Sequence, residues 1–282
     1  MKDIFKDRVA VVTGAGSGIG RALALGLAER GAHLALSDIE RDPVHETARL
    51  ASEKGVEAIT DTLDVTDATA FAAYADKVLE RFGRVNQLYN NAGISSGNDP
   101  FAEMPADHFD RVMAVNLGGV ATGTRLFLPH LIASGDGHLV TISSLNGLMA
   151  QPHMSPYVTS KFAVRGLTEA IRQEMIADGH PVEVTVVHPG GVATQIAARR
   201  GPDIDTLPPA KQPAARRRLQ VYQDKLLRMR PEDAADEILT GMAKGKRRIV
   251  LTKKAKQLDL LIRLMPTRYV PIVAREMKKL FG

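Results

Sequence analysis

The residues best placed to do chemistry are Tyr157 and Lys161, in the stretch Ser155-Pro156-Tyr157-Val158-Thr159-Ser160-Lys161. Phe162 to Arg172 reads as helix, and residues four apart on a helix share a face, so phenol and ammonium can converge on one point. A free tyrosine titrates near pH ~10, and a neighbouring positive charge lowers that value. Such a pair can therefore work as an acid/base near neutral pH. The spacing alone arises often by chance. The elements around it have to place it.

The first such element is near the start of the chain. Arg8 to Thr13 is a short, β-branched apolar run that reads as a buried strand. Gly14-Ala15-Gly16-Ser17-Gly18-Ile19-Gly20 follows at once, and Arg21 to Arg30 reads as helix closed by Gly31. Strand, glycine turn and helix form a phosphate cradle, because glycines let the backbone approach a pyrophosphate and the helix N-terminus presents N–H groups to it. The pattern is Thr-Gly-x-x-x-Gly-x-Gly. It is not G-x-G-x-x-G, since Ile19 and Arg21 hold the places of the third glycine. Ala32 to Asp38 reads as the second strand. Asp38, eighteen residues after Gly20, is placed to accept from a ribose 2′-OH and to repel a 2′-phosphate, which favours NAD over NADP. Arg41 nearby works against that preference.

Further strands are expected at Val56–Thr62, at Gly83–Asn90, at Gly137–Ser144, at Pro181–Val187 and at Arg248–Leu251. Helices are expected between them: Pro43–Lys54, a segment capped by Thr66 or Asp67 and running to Arg81, Pro105–Leu131, the stretch after Tyr157, and Pro231 to about Ala243. This alternation predicts an α/β fold: one doubly wound Rossmann-type domain with a mostly parallel, seven-stranded sheet and helices on both faces. Ligands of such sheets bind at the carboxyl ends of the strands, where Gly14–Gly20, Asp38, Asp64 and Asn90–Gly93 are all expected.

The composition narrows the class. Apolar residues make up 44% of 282, enough for a large core. Without cysteine there is no disulfide, thiol nucleophile or thiolate metal site. The opening Met1–Asp7 lacks the apolar core of a signal peptide, and no uncharged run approaches the ~20 residues of a membrane span. A cytoplasmic protein is expected, and no metal site. The charge is uneven: Arg200 to the end carries 20 Lys and Arg against 9 acidic residues, and the rest of the chain 17 against 23. The C-terminal part is thus suited to an anionic partner.

Taken in order, Thr13-Gly14-x-x-x-Gly18-Ile19-Gly20, Asp64-Val65, Asn90-Asn91-Ala92-Gly93, Asn116, Ser143-Ser144, Tyr157-x-x-x-Lys161 and Pro189-Gly190-x-x-x-Thr194 resemble the short-chain dehydrogenase/reductase family. The resemblance covers Arg8 to about Thr194 and returns weakly from Pro231 to Leu251. It implies that Gly14, Ser17, Gly18, Ile19 and Gly20 cradle a cofactor pyrophosphate. Asp64 and Val65 would border the adenine, and Asn91, Ala92 and Gly93 would line the cofactor cleft. Pro189, Gly190 and Val192 would also contact the cofactor, and Thr194 would meet the nicotinamide carboxamide or the phosphates. Tyr157 would be the acid/base and Ser144, rather than its neighbour Ser143, the donor to the carbonyl oxygen. Lys161 would hold the ribose and depress the tyrosine pKa, and Asn116 would anchor a proton relay to Lys161. The implied activity is an NAD-dependent alcohol dehydrogenase or ketone reductase acting on a secondary alcohol or ketone, such as a lipid, steroid-like or aryl carbinol. Leu145, Met149 and Met154 near the site favour an apolar substrate.

Two other functions fit parts of the chain. A non-catalytic dinucleotide sensor or scaffold needs only the cofactor half, whereas the Ser144, Tyr157, Lys161 and Asn116 set is complete. A nucleotide-sugar epimerase or dehydratase also uses Tyr-x-x-x-Lys but resembles T-G-x-x-G-x-x-G, which Gly18 and Gly20 do not match. Residues 1–252 are expected to form the dinucleotide-binding and catalytic domain, with 195–230 a substrate loop or lid. Residues 253–282 form a basic amphipathic tail of two short helices broken at Met265-Pro266, suited to subunit packing or to a peripheral membrane contact. The basic part carries few interleaved aromatics, so no nucleic-acid partner is expected. Resemblance to the family implies a homodimer or homotetramer.

Overall fold

The computed structural model describes residues 3–96, 100–194 and 212–281, with 196, 204 and 209 between the last two spans. At its centre is β1 (Val9–Thr13), buried at every position. The strand pairs in parallel with β2 (His33–Asp38) on one side and with β4 (Gln87–Asn90) on the other. Beyond β2 lies β3 (Ala58–Thr62). Beyond β4 come β5 (Gly137–Ile142), β6 (Val182–His188) and β7 (Arg248–Val250). The sheet order is β3-β2-β1-β4-β5-β6-β7, and every pair is parallel. The strand order reverses at β1, so the crevice between the carboxyl ends of β1 and β4 is the switch point where such sheets bind ligands.

Strands buried on both faces need helices on both faces. Alternate residues of β1 divide the core accordingly. Ala10 and Val12 pack against α1 (Gly18–Ala28), α2 (Arg41–Ser52) and α8 (Pro231–Ala243), with Leu23, Leu27, Val44, Ile238 and Leu239 among the buried side chains. Val11 faces the other layer, made of α3 (Ala68–Phe82), α5 (Gly119–Ala133) and α6 (Ser155–Ala177). There Phe71, Tyr74 and Phe127 meet with ring centroids 6.4–6.5 Å apart. Asp67 is the N-cap of α3 and accepts from the Ala70 N–H at 2.9 Å, which decides between the two candidate caps.

Three segments differ from the sequence expectation. The long helix expected over 105–131 is interrupted. A helix α4 (Ala106–Met113) passes into a π-helical turn, Ala114–Gly118, before α5 begins. Its wider hydrogen-bond ring absorbs one extra residue around Asn116. The expected loop 195–230 falls partly outside the described residues. Its second half is a helix, α7 (Gln212–Val221), followed by a π turn at Tyr222–Leu226. The tail forms α9 (Lys253–Leu264) and α10 (Tyr269–Phe281) as expected, but both fold back onto the body. Tyr269 and Val273 pack on Met149, with Leu145, Leu258, Ile262 and Met277 around them. Among the described residues no helix is long and apolar enough to cross a membrane.

The aromatic cluster under α5 sets a stability test. Phe127 is fully buried, so Phe127→Ala should cost about 3–5 kcal/mol. The measurement is urea unfolding: a lower midpoint at unchanged slope is expected, and an unchanged midpoint refutes this packing.

Candidate active site

The switch point opens into a cleft of about 940 Å³. It is lined by Gly14, Ser17, Gly18, Ile19, Asp38, Asp64, Val65, Asn91, Ala92 and Gly93, and by Pro189, Gly190, Val192 and Thr194. Ser143, Ser144, Tyr157 and Lys161 line the same cleft. Residues that the sequence scatters over 180 positions therefore meet at one edge of one sheet.

The glycine turn is shaped by close approaches. Gly14 and Gly18 have φ of +66° and +54°, the left-handed region that favours glycine. Gly20 lies behind the cleft wall rather than in it, where a Cβ would sit 2.0 Å from the Gly14 carbonyl oxygen. The helix that follows opens on Ser17, whose side chain caps nothing, and its first turn holds no acidic residue. Its leading N–H groups thus stay available to an anion, and the dipole adds a positive end. This fits a pyrophosphate. Asp38 closes the far side: its carboxylate accepts from the Gly16 N–H at 2.8 Å and from the Glu40 N–H at 3.0 Å.

Thr13 ties the two central strands together at this edge. Its hydroxyl oxygen accepts from the Asn91 and Ala92 N–H groups at 3.1 Å each. Asn91 in turn donates its amide to the carbonyls of Thr13 and Gly14 at 2.9 and 3.0 Å. The clamp holds Gly14 against Ala92, where no side chain would fit between the two backbones.

Tyr157 and Lys161 stand in the first two turns of α6. Lys161 Nζ lies 5.7 Å from the Tyr157 ring centre and donates to the Ile142 carbonyl at 3.0 Å. Only 3% of Lys161 is exposed. Burial lowers its pKa to about 8, so the ammonium is retained at neutral pH. The two serines have different jobs. Ser143 spends its hydroxyl on the Lys161 carbonyl at 2.8 Å. Ser144 accepts the Asn146 N–H at 3.1 Å, which leaves its own proton for a group in the cleft. Asn116 is fully buried outside the cleft wall. Its Oδ1 accepts from Ile94 N–H at 2.8 Å, and its Nδ2 donates to the Ile94 carbonyl and to Ser160 Oγ at 2.9 and 3.0 Å. The π turn brings it to Gly93, where a Cβ would lie 3.1 Å from Asn116 Oδ1 and 3.4 Å from Lys161 Nζ.

Several lining residues escape sequence reasoning. Tyr222, Leu258 and Met277 reach the cleft from α7's extension, α9 and α10. Tyr222 falls in the span expected as a substrate loop or lid, whereas the only sequence signal of Leu258 and Met277 is membership of amphipathic helices. Met149 lines the cleft, Met154 is buried beside it, and His153 is exposed at a left-handed turn.

A parallel sheet with an anion-binding helix end and an acidic residue at its switch point defines a dinucleotide-binding α/β protein. The family model for short chain dehydrogenase matches residues 8–205, and the chain belongs to that family of oxidoreductases. It is 47% identical to the putative oxidoreductase SadH of Mycobacterium tuberculosis over 282 residues, 98% of each chain. It is 35% identical to the cis-4-hydroxycyclohexanecarboxylate dehydrogenase of Sinomonas cyclohexanicum, over 84% of this chain and 90% of that one. A short chain dehydrogenase/reductase from Burkholderia phymatum, solved with NAD, superposes with a TM-score of 0.84. The identity is 32%, over 93% of this chain and 95% of that one.

The buried ammonium sets a second test. Because the folded pKa of Lys161 lies near 8, below the ordinary 10.5, the charged form is disfavoured by folding. That cost is full below pH 8 and fades as pH rises toward 10.5. It is on the order of 3 kcal/mol at neutral pH. Lys161→Met should therefore melt higher than wild type at pH 7, by less at pH 10, while losing activity. A lower melting temperature at pH 7 overturns this reading.

Proposed function

We propose that the protein is an NAD-dependent oxidoreductase that interconverts a secondary alcohol and a ketone, with an apolar substrate. The observation that carries the reading is that Ser144, Tyr157 and Lys161 share one cleft with the glycine turn and Asp38. The nicotinamide cofactor supplies hydride transfer, and this chain supplies binding, orientation and proton movement. Gly14, Ser17, Gly18 and Ile19 with the N-terminus of α1 hold the pyrophosphate, and Gly20 lets the helix pack against the turn from behind. Asp64 and Val65 border the adenine, and Asn91 to Gly93 with Pro189, Gly190, Val192 and Thr194 line the rest. Asp38, already accepting from two backbone N–H groups, offers a carboxylate to a ribose hydroxyl and repels a phosphate there. This favours NAD over NADP.

In oxidation Tyr157 Oη takes the proton of the alcohol, and in reduction it returns that proton to the ketone oxygen. The Lys161 ammonium beside the ring favours the phenolate. Ser144 donates to the substrate oxygen and steadies the charge that develops on it. Asn116, packed with Lys161 around Gly93, anchors a water in a proton relay to Lys161. Leu145, Met149, Tyr222, Leu258 and Met277 make a largely apolar wall for the substrate. The relative from Sinomonas, named for a cyclic secondary alcohol, is consistent with that chemistry. The completeness of the proton-handling set argues against a sensor or scaffold.

We further infer a cytoplasmic enzyme that touches an anionic membrane through its tail. Lys253, Leu260 and Leu264 fall on the outward face of α9, with Leu264 73% exposed. From Lys253 onward the chain holds eight Lys and Arg against two acidic residues. Phe162 and Ile176, exposed on α6, support a homodimer or homotetramer built on that helix.

Tyr157→Phe should lower kcat by about 100-fold or more with NAD affinity retained; equal turnover in the two proteins sinks the mechanism. Asp38→Ala should shrink the preference for NAD in kcat/KM, read by assaying both cofactors; an unchanged ratio removes Asp38 from that role. Co-sedimentation with phosphatidylserine vesicles should occur at low salt and fade at high salt. No binding at low salt rejects the membrane contact.

A further inference from the structure

His188 is the last residue of β6 and is wholly buried. Its Nδ1 lies 2.9 Å from the carbonyl oxygen of Ser144. A carbonyl only accepts, so Nδ1 carries the ring proton and donates. Nε2 is then a lone pair, buried and without a hydrogen-bond partner. On the neighbouring strand, Arg248 pairs with Val186 while His188 pairs with Val250, so Arg248 and His188 project from the same face of the sheet. Arg248 Nε is likewise buried and unpartnered. The two orphans are complementary, one acceptor and one donor.

Arg248 does not stand alone. Its two terminal nitrogens hold Asp259 at 3.2 and 2.5 Å. Asp259 belongs to α9, the helix that also sends Leu258 into the cleft. Burial, then the nearby Arg248 and Arg165 cations, pull the His188 pKa down to about 4, against the opposing effects of the Ser144 bond and Asp259. The imidazole is therefore neutral at ordinary pH. A cation on the same sheet face disfavours a second proton on the ring and favours the neutral Nδ1–H form that Ser144 needs.

The backbone around Ser144 is fixed by four bonds. Ser143 N–H donates to the Val187 carbonyl at 2.9 Å, Leu145 N–H donates to the Pro189 carbonyl at 2.8 Å, Gly147 N–H donates to the Ser144 carbonyl at 2.9 Å, and His188 Nδ1 donates to that same carbonyl from the other strand. Only the last of these bonds depends on a side chain. We propose that His188 is the positioning residue of Ser144, fixing the aim of its hydroxyl, and that the Arg248–Asp259 pair braces His188 from the C-terminal helix. This rests on the reading that Ser144 donates to the substrate oxygen.

The test compares two amides. In His188→Asn the amide nitrogen falls near the place of Nδ1, and in His188→Gln it falls near Nε2. The Asn variant should stay within about threefold of wild type, and the Gln variant should lose about tenfold or more in kcat with KM for NAD unchanged. In a Ser144→Ala background, His188→Gln should have less than about a twofold further effect. Equal loss in Asn and Gln, or the same loss with and without Ser144, overturns the proposal. Thermal melting checks folding. If the Gln variant does not fold, Asp259→Asn replaces it, with a kcat loss expected only when Ser144 is present; a loss of the same size in both backgrounds overturns the proposal. The Ser144→Ala variant alone tests the underlying reading: wild-type turnover there removes Ser144 from the chemistry, whatever His188 does.

Discussion

The ammonium of Lys161 is taken almost wholly out of water and given the Ile142 carbonyl in place of a carboxylate. That arrangement opposes folding, and the pKa drop toward 8 is its signature. It persists because the surrounding structure is over-determined. Helix α6 is packed into the core through Val164, Thr168, Ile171 and Met175. Ser143 grips the Lys161 carbonyl, and Thr141 meets Thr168 at 2.6 Å. The lysine cannot leave without unseating a helix of 23 residues from the sheet.

The same logic runs along the whole carboxyl edge. Thr13 joins the ends of β1 and β4, Ser143 joins β5 to α6, and His188 joins β6 to β5. At these three strand ends a polar side chain is bonded to a neighbour's backbone. Such bonds are directional, so they fix angles that apolar packing leaves loose. The apolar layers above and below supply the stability, and the polar stitches supply the geometry.

Much of this was legible in the residues. The glycine turn, Asp38 and the Tyr157–Lys161 pair carry local signals: spacing, turn chemistry and helical periodicity. Strand and helix alternation fixed the parallel sheet, and all seven expected strands are present. The π turn at Asn116 left only a weak signal, an Asn beside Gly118-Gly119 inside an expected helix, which fits a kink or packing noise equally well. The role of His188 was equally hidden. A histidine before Pro-Gly reads as a loop residue, and its partner Ser144 is 44 positions away. The inward fold of the tail was hidden for a third reason. Amphipathic helices declare an apolar face but not what covers it, and the cover here is Met149 and Leu145.

By itself, then, the sequence determined which groups are candidates to handle protons and phosphates, and which elements carry them, because those signals lie within a few residues of each other. Tertiary structure decided how they meet. Parallel strands brought Gly14, Asp38, Asn91, Ser144 and Thr194 to one edge, although no two of them are chain neighbours. It decided that Ser143 serves Lys161 while Ser144 faces the cleft, since a one-residue step along a strand end reverses the side of the sheet. And it closed the site with Leu258 and Met277 from the far end of the chain. Burial is a property of neighbours in space, and periodicity in one dimension does not name them.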